Sequence, residues 1–263
     1  MNRWVSEHKA ISFILYNVIF WSSFLLLSTM VELHLITWIV YGIVILLISL
    51  LFISSIDIAV LKEAAKQHNN QCDPYSLLEI VEQQLQRVKS RSYKQMLLID
   101  KAVALRDLGR FDEVYSILTD IHIDQYNTTQ PSTKIVYYNN LVDILIIKGD
   151  LVQANIWYTK MMQMINDLNE KVKQKHQLSE ISVLTQAELL FTESKYEEAE
   201  SLVRNISDQI ETSNRIAKYM LYAKLCIRQN RYDEAKPFLQ FIIDYGSKLY
   251  KAVLAREMLN SIS

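Results

Sequence analysis

Twenty consecutive residues, Ala10 to Thr29 (AISFILYNVIFWSSFLLLST), pass without a charged side chain. After only MVELH, twenty-two more, Leu35 to Ile56, do the same. As helices rising about 1.5 Å per residue, each run matches the roughly 30 Å of a bilayer's hydrocarbon. A globular helix of that length needs a polar face, and neither run supplies one. The first apolar stretch is too long for a signal peptide, and no small-x-small cleavage site follows it. The expectation is an N-terminal transmembrane helical hairpin over residues 1–56. Arg3 and Lys9 precede the first run, the short loop holds no Lys or Arg, and Lys62 and Lys66 follow the second. The positive-inside bias then places a two-pass protein in a cell membrane with both termini cytoplasmic. In an antiparallel hairpin the depth of Asn17 matches Ser49, and Ser22 and Ser23 match Gly42. A hydrogen bond at the first level and close backbone approach at the second would pin the two spans by about 0.6–2 kcal/mol.

Past residue 56 the pattern changes. The remainder carries 26 basic and 27 acidic residues, a balance that does not suit nucleic-acid binding, which needs a basic face to displace counterions. The local basic run Arg87, Lys89, Arg91 and Lys94 reads as a solvated helix face. Cys72 and Cys226 stand far apart and belong to no metal or redox spacing. Period-two alternation and Asn-Gly or Asp-Gly hairpins are absent, so strands are not expected. Apolar residues recur at helical spacing in MLLIDKAVALRDLG and IVYYNNLVDILIIKGD, and Gly109 and Gly149 end those helices. The fold class is all-α.

Those helix ends bring four phrases into line: LGRFDEVYSIL, KGDLVQANIWY, ESKYEEAESLV and QNRYDEAKPFL. Each sets a large residue (Phe111, Leu151, Tyr196, Tyr232) three positions before a small one (Val114, Ala154, Ala199, Ala235). Leu118, Tyr158, Val203 and Leu239 follow four later. The helix ahead of each phrase carries its own small residue: Ala102, Val142, Ala187 or Ala223. Paired helices approach closely only where a small side chain on one receives a large one from the other.

This pattern resembles the tetratricopeptide repeat, a helix–turn–helix unit of about 34 residues. The resemblance covers residues 94–245 as four units, with the large turn residues 40, 45 and 36 apart. Leu98, Tyr138, Val183 and Tyr219 stand where the family has tryptophan, and its closing proline is missing. Residues 57–93 then read as juxtamembrane helices, with CDPYSLLEIVEQQL as the second helix of a degenerate unit, Asp73 its cap and Pro74 in its first turn. Residues 94–263 form the solenoid, closed by a last helix in SKLYKAVLAREMLNSIS.

The resemblance implies a concave face built from the first helices, which would bind a peptide or helix of a partner protein. Carried over by position, it offers Met96, Ile99, Val103 and Arg106 from the first unit, and Val136, Asn139, Asp143 and Ile146 from the second. Ile181, Leu184, Glu188 and Phe191 come from the third, and Ala217, Met220, Lys224 and Ile227 from the fourth. The family's carboxylate clamp is matched only by Asn139.

Enzyme signatures are missing. There is no Gly-rich phosphate loop and no Gly-x-Ser-x-Gly elbow, and the five histidines never fall at metal spacing. No catalytic residue, metal or cofactor is expected. NTT at Asn127 and NIS at Asn205 match the glycosylation pattern, but a cytoplasmic domain never meets the transferase. The functional expectation is a membrane-anchored adaptor that recruits a partner at the cytoplasmic surface of a bacterial cell membrane. Its alternatives are a peptide-sensing receptor and an accessory subunit of a transport or secretion complex.

Overall fold

The computed structural model describes residues 14, 15, 17–22, 35–123, 130–175 and 177–262. The chain divides into two compact units, Met1–Ala64 and Ala65–Ser263. The division falls within helix α1 (Leu35–Gln71), so that of the segment 57–93 residues 57–64 belong to the first unit and 65–93 to the second.

In the first unit Ile14, Leu15 and residues 17–22 are helical. Gly42 on α1 is a point of close approach, since a Cβ there would lie 3.2 Å from the Trp21 ring. Close packing at Gly42 was expected against Ser22 and Ser23; among the described residues its neighbour is the Trp21 ring, and Ser23 lies outside them. Ser22 turns its hydroxyl back onto the carbonyls of Val18 (2.6 Å) and Ile19 (3.0 Å), as a hydroxyl in apolar surroundings does. Asn17 is half-buried, while the side chains of Ser23 and Ser49 fall outside the described residues. Counting only what is described, no helix is long and apolar enough to cross a membrane. Much of both uncharged runs lies outside that description: residues 10–13, 16 and 23–34 entirely, and the side chains of 35–38, 41 and 49–56.

The second unit contains no strand among its described residues. After α1 come α2 (Pro74–Leu85), α3 (Arg91–Asp107), α4 (Phe111–Asp120), α5 (Pro131–Lys148), α6 (Leu151–Asn166) and the short α7 (Glu170–Lys175). Then follow α8 (Leu178–Thr192), α9 (Tyr196–Asn205), α10 (Thr212–Arg228), α11 (Tyr232–Tyr245) and α12 (Tyr250–Ser261). Asp73 caps α2 by accepting from Ser76 N–H at 3.4 Å, with Pro74 in the first turn.

Helices pair as α3–α4, α5–α6, α8–α9 and α10–α11, and the first helix of each pair packs on the first helix of the next. That is an α-solenoid. All eight small residues of the repeated phrases and their partner helices are fully buried, from Ala102 and Val114 to Ala223 and Ala235. Leu118, Val203 and Leu239 are fully buried too; Tyr158 stays half-buried.

The four turns share one geometry. Gly109, Gly149, Ser194 and Asn230 each sit two residues before the large turn residue, with φ of 77°, 79°, 64° and 58°. The next residue's N–H reaches back five positions: Arg110 to Leu105 and Asp150 to Leu145, Lys195 to Leu190 and Arg231 to Cys226, at 2.8–2.9 Å. This is the left-handed helix stop with its long back-bond. Three of the second helices open on adjacent acids (Asp112–Glu113, Glu197–Glu198, Asp233–Glu234), which complement the positive helix N-terminus. The repeated phrase therefore encodes a stop, a start and a packing contact together.

The ends of the array meet. Lys248 Nζ lies 2.7 Å from Asp73 Oδ2, and Lys248 N–H donates to Cys72 O at 3.3 Å. The Tyr250 ring packs edge-on against Phe111 at 5.5 Å, and a Cβ on Gly109 would come within 2.7 Å of Tyr250. Helix α12 thus bridges the last unit back to the α1–α2 turn and the first turn of the repeat. The solenoid is a closed ring.

Candidate functional site

Closing the ring converts the expected open groove into a chamber of about 640 Å³. Its wall includes residues from α3, α5, α8 and α10, completed by the end of α1 and the start of α12. That volume lies within the usual range for small-ligand sites, roughly 300–1,000 Å³.

Arg106, Asn139, Asp143 and Leu184 all line the chamber, as do Glu188, Phe191, Met220 and Lys224. On α5 and α8 all the residues expected on the concave face line the wall: Val136, Asn139, Asp143 and Ile146, then Ile181, Leu184, Glu188 and Phe191. On α3 the expected Val103 and Arg106 line it beside Asp100 and Asp107, whereas Ile99 is 1% exposed, in the core. Met96 and Ile227 are likewise not in the wall, and Ile227 packs against the core around Cys226 and Leu239.

The polar side of the wall is a network centred on Arg106. Its Nη1 meets Asp143 Oδ2 at 2.7 Å and its Nε meets Asp107 Oδ1 at 3.2 Å. Asp107 also accepts from His68 Nε2 at 2.8 Å and lies 3.9 Å from Lys251 Nζ. Burial works against the Asp107 charge, but Arg106, Lys251 and His68 outweigh it and hold this carboxyl well below the usual carboxylate range. Asp143 has the opposite balance. Burial and the nearby Glu188 charge prevail over Arg106 and raise it. One guanidinium thus bridges two carboxylates, with the shorter contact to Asp143. From Asp143 the network runs on through Asn139 (3.4 Å), which accepts from the Thr185 hydroxyl at 2.7 Å.

Other charged groups in the wall lack such partners. Asp100, Glu188 and Lys224 line the chamber, and none has a hydrogen-bonded side-chain partner among the described residues. Burial lowers the Lys224 pKa, opposed by the Glu188 charge. Burial raises Asp100 to about 7, with only His68 opposing it.

Asp100, His68 and Tyr250 escape the sequence argument. Asp100 sits one helical position off the expected groove register. His68 and Tyr250 come from helices outside the repeated phrases, where no periodic signal marks them. The lone acid in MLLIDKAVALRDLG is the visible clue to Asp100.

No described group of His, Cys, Asp and Glu is arranged to hold a metal ion. Both cysteines are buried and free, and burial pushes the Cys72 thiol up to about 11, well away from a reactive thiolate. Comparison with known proteins finds no matching family model, no similar curated protein and no similar solved structure.

Proposed function

We propose that this protein is a membrane-tethered receptor whose tetratricopeptide-like ring binds a short peptide or similarly small ligand inside its chamber. The observation that carries this reading is the bounded size of the cavity. A long helix or extended partner needs a long open groove, whereas a partly open cavity of about 640 Å³, with wall charges that have no hydrogen-bonded side-chain partner among the described residues, suits a small polar ligand. The sensing alternative is thereby favoured over the open-groove adaptor. An enzymatic role gains no support, because the charged groups form ion pairs and lone acids without a nucleophile–base pair.

The tether is part of the proposal. Two uncharged runs of twenty and twenty-two residues support it. So do the large apolar side chains that the first unit leaves exposed, such as Ile19 (65%), Val18 (59%) and Ile39 (56%). The positive-inside bias faces the ring to the cytoplasm. Native mass spectrometry of the full chain from its own membranes tests the chamber. Wild type should carry a bound small ligand, and Ala217→Trp, which projects an indole into the space, should carry none. Equal occupancy in both proteins refutes the chamber as the site.

A further inference from the structure

We infer that the ligand of this chamber presents a primary ammonium group, which docks against the carboxylate of Asp100. The inference rests on the chamber reading above and adds the chemistry that the site selects. Three observations lead to it.

First, Asp100 is the wall's unsatisfied acid. It is withdrawn from bulk water yet partly open, and the chamber is where it opens. No described residue donates a hydrogen bond to it or pairs with it. Within the same wall Asp107 takes Arg106, Lys251 and a hydrogen bond with His68, and Asp143 takes Arg106. A carboxyl withdrawn from water without a donor is destabilising, the more so when charged. Folding gains nothing from an acid here that an apolar residue would not supply. A ligand cation would satisfy it.

Second, the wall is acidic overall. Five carboxylates, Asp100, Asp107, Asp143, Glu188 and Glu211, face three cations, Arg106, Lys224 and Lys251, with His68 beside them. Lys224 has the Glu188 charge to answer it, and Arg106 is shared between two aspartates. The charge left over is negative, and it favours a cationic guest.

Third, the guest is an organic cation. A bare metal needs several converging ligands, and the described residues form no such group. An ammonium needs only one carboxylate and polar or aromatic surroundings; Asn69, Phe111 and Tyr250 lie in the same wall. Burial has already pushed Asp100 up to about 7. A docked ammonium favours its ionised form, so the ligand's charge and the acid's charge stabilise each other.

A primary ammonium can be a peptide's amino terminus or a lysine side chain. Retention of pooled tetrapeptides on the full chain, read by mass spectrometry, separates the two. The pools are free tetrapeptides lacking Lys and Arg, the same pool N-acetylated, and an N-acetylated pool containing Lys. The free pool should be retained at least about tenfold over its acetylated twin, equivalent to about 1.4 kcal/mol. Asp100→Asn, which keeps the shape and removes the charge, should bring that ratio close to one while melting no lower than wild type. Retention of the acetylated Lys pool, lost in Asp100→Asn, supports the same site with a side-chain source. Equal retention of free and acetylated Lys-free pools overturns the ammonium assignment and leaves the chamber standing. So does an undiminished ratio in Asp100→Asn. If no pool is retained, both the chamber reading and this inference fall.

Discussion

Two glycines allow the ring closure to be measured. Gly109 and Gly149 occupy equivalent turns with nearly the same φ, 77° and 79°. Substituting alanine at either forces a side chain into the left-handed region, which costs about 1–2 kcal/mol. Their surroundings differ. At Gly149 a Cβ would meet nothing within 4 Å, while at Gly109 it would lie 2.7 Å from Tyr250 Cδ2 and 2.8 Å from Cγ. Real Cβ atoms do not approach an aromatic ring that closely, so α12 must move or the turn must distort. Overpacking of that kind adds about 1–3 kcal/mol. Gly149→Ala should therefore lose about 1–2 kcal/mol and Gly109→Ala about 2–5 kcal/mol in urea denaturation followed by circular dichroism. The Gly109→Ala/Tyr250→Ala pair isolates the contact. Removing the ring destabilises by itself, but it should shrink the added effect of Gly109→Ala to that of Gly149→Ala. If the two single alanine variants agree within about 0.5 kcal/mol, the additivity tolerance for independent sites, then Tyr250 does not rest on the first turn in solution. The closed ring would be refuted with it.

Three further outcomes follow from the same structure. Asp107→Asn leaves Arg106, His68 and Lys251 without their shared anion and should destabilise the ring by about 3–5 kcal/mol at pH 7. Because the folded pKa of Asp107 is depressed, its stabilisation is present above the unfolded value near 4 and fades as pH falls below it; acid titration of the melting temperature should show a shallower loss below about pH 4 in Asp107→Asn than in wild type. Ala199→Leu, at a fully buried contact between α9 and its neighbours, should lose about 1–3 kcal/mol by chemical denaturation, whereas Val152→Leu, at a side chain 72% exposed, should change stability by less than about 0.5 kcal/mol. Asn140→Asp keeps the shape and heavy-atom number at a buried Oδ1 that has no donor among the described residues, and should destabilise by about 1–3 kcal/mol at pH 7 by putting an unpaired charge there and losing the Nδ2 bond to Val136 O; no loss by chemical denaturation would mean a donor reaches this site in solution.

The parts legible in the sequence are those that repeat. Four small residues three positions after a bulky side chain, and the four on the helices ahead of them, mark where helices nest, and all eight are fully buried. Gly109 and Gly149 mark their turns because glycine tolerates a positive φ. The equivalent residues in the third and fourth units are Ser194 and Asn230, which adopt the same geometry without the same signal. Asparagine visits that region with some ease; serine is held there by the back-bond from Lys195 N–H to Leu190 O at 2.9 Å. On α5 and α8 the positions expected on the concave face all line the chamber, whereas α3 adds Asp100 and Asp107 beside the expected Val103 and Arg106. What could not be read was the closure. It depends on single contacts between positions far apart in the chain, such as Lys248 with Asp73 and Tyr250 with Phe111, and their partners on the α12 side belong to no repeated phrase. A local pattern specifies each unit and its neighbour, but not where the last unit ends in space.

The same division appears in the energetics. Within the array each unit boundary buries whole side chains: Ala187, Ala199, Val203, Leu221 and Leu225 form one continuous core across α8, α9 and α10. A single fully buried leucine or valine contributes about 1.5–3 kcal/mol. At the closing seam the Lys248–Asp73 pair is half exposed on its lysine side, and exposed pairs contribute about 0–1 kcal/mol. The Phe111–Tyr250 edge contact adds about 0.5–1.5 kcal/mol beyond its burial, and Lys251 stands 3.9 Å from Asp107. The seam adds apolar burial to these polar and aromatic contacts, since Cys72 and Leu249 share one core with Met220 and Leu239. Lys251, Tyr250 and Asp107 border the chamber as well as the seam. A ligand that neutralises the acidic wall and a substitution that loosens α12 thus act on the same groups, with opposite sign.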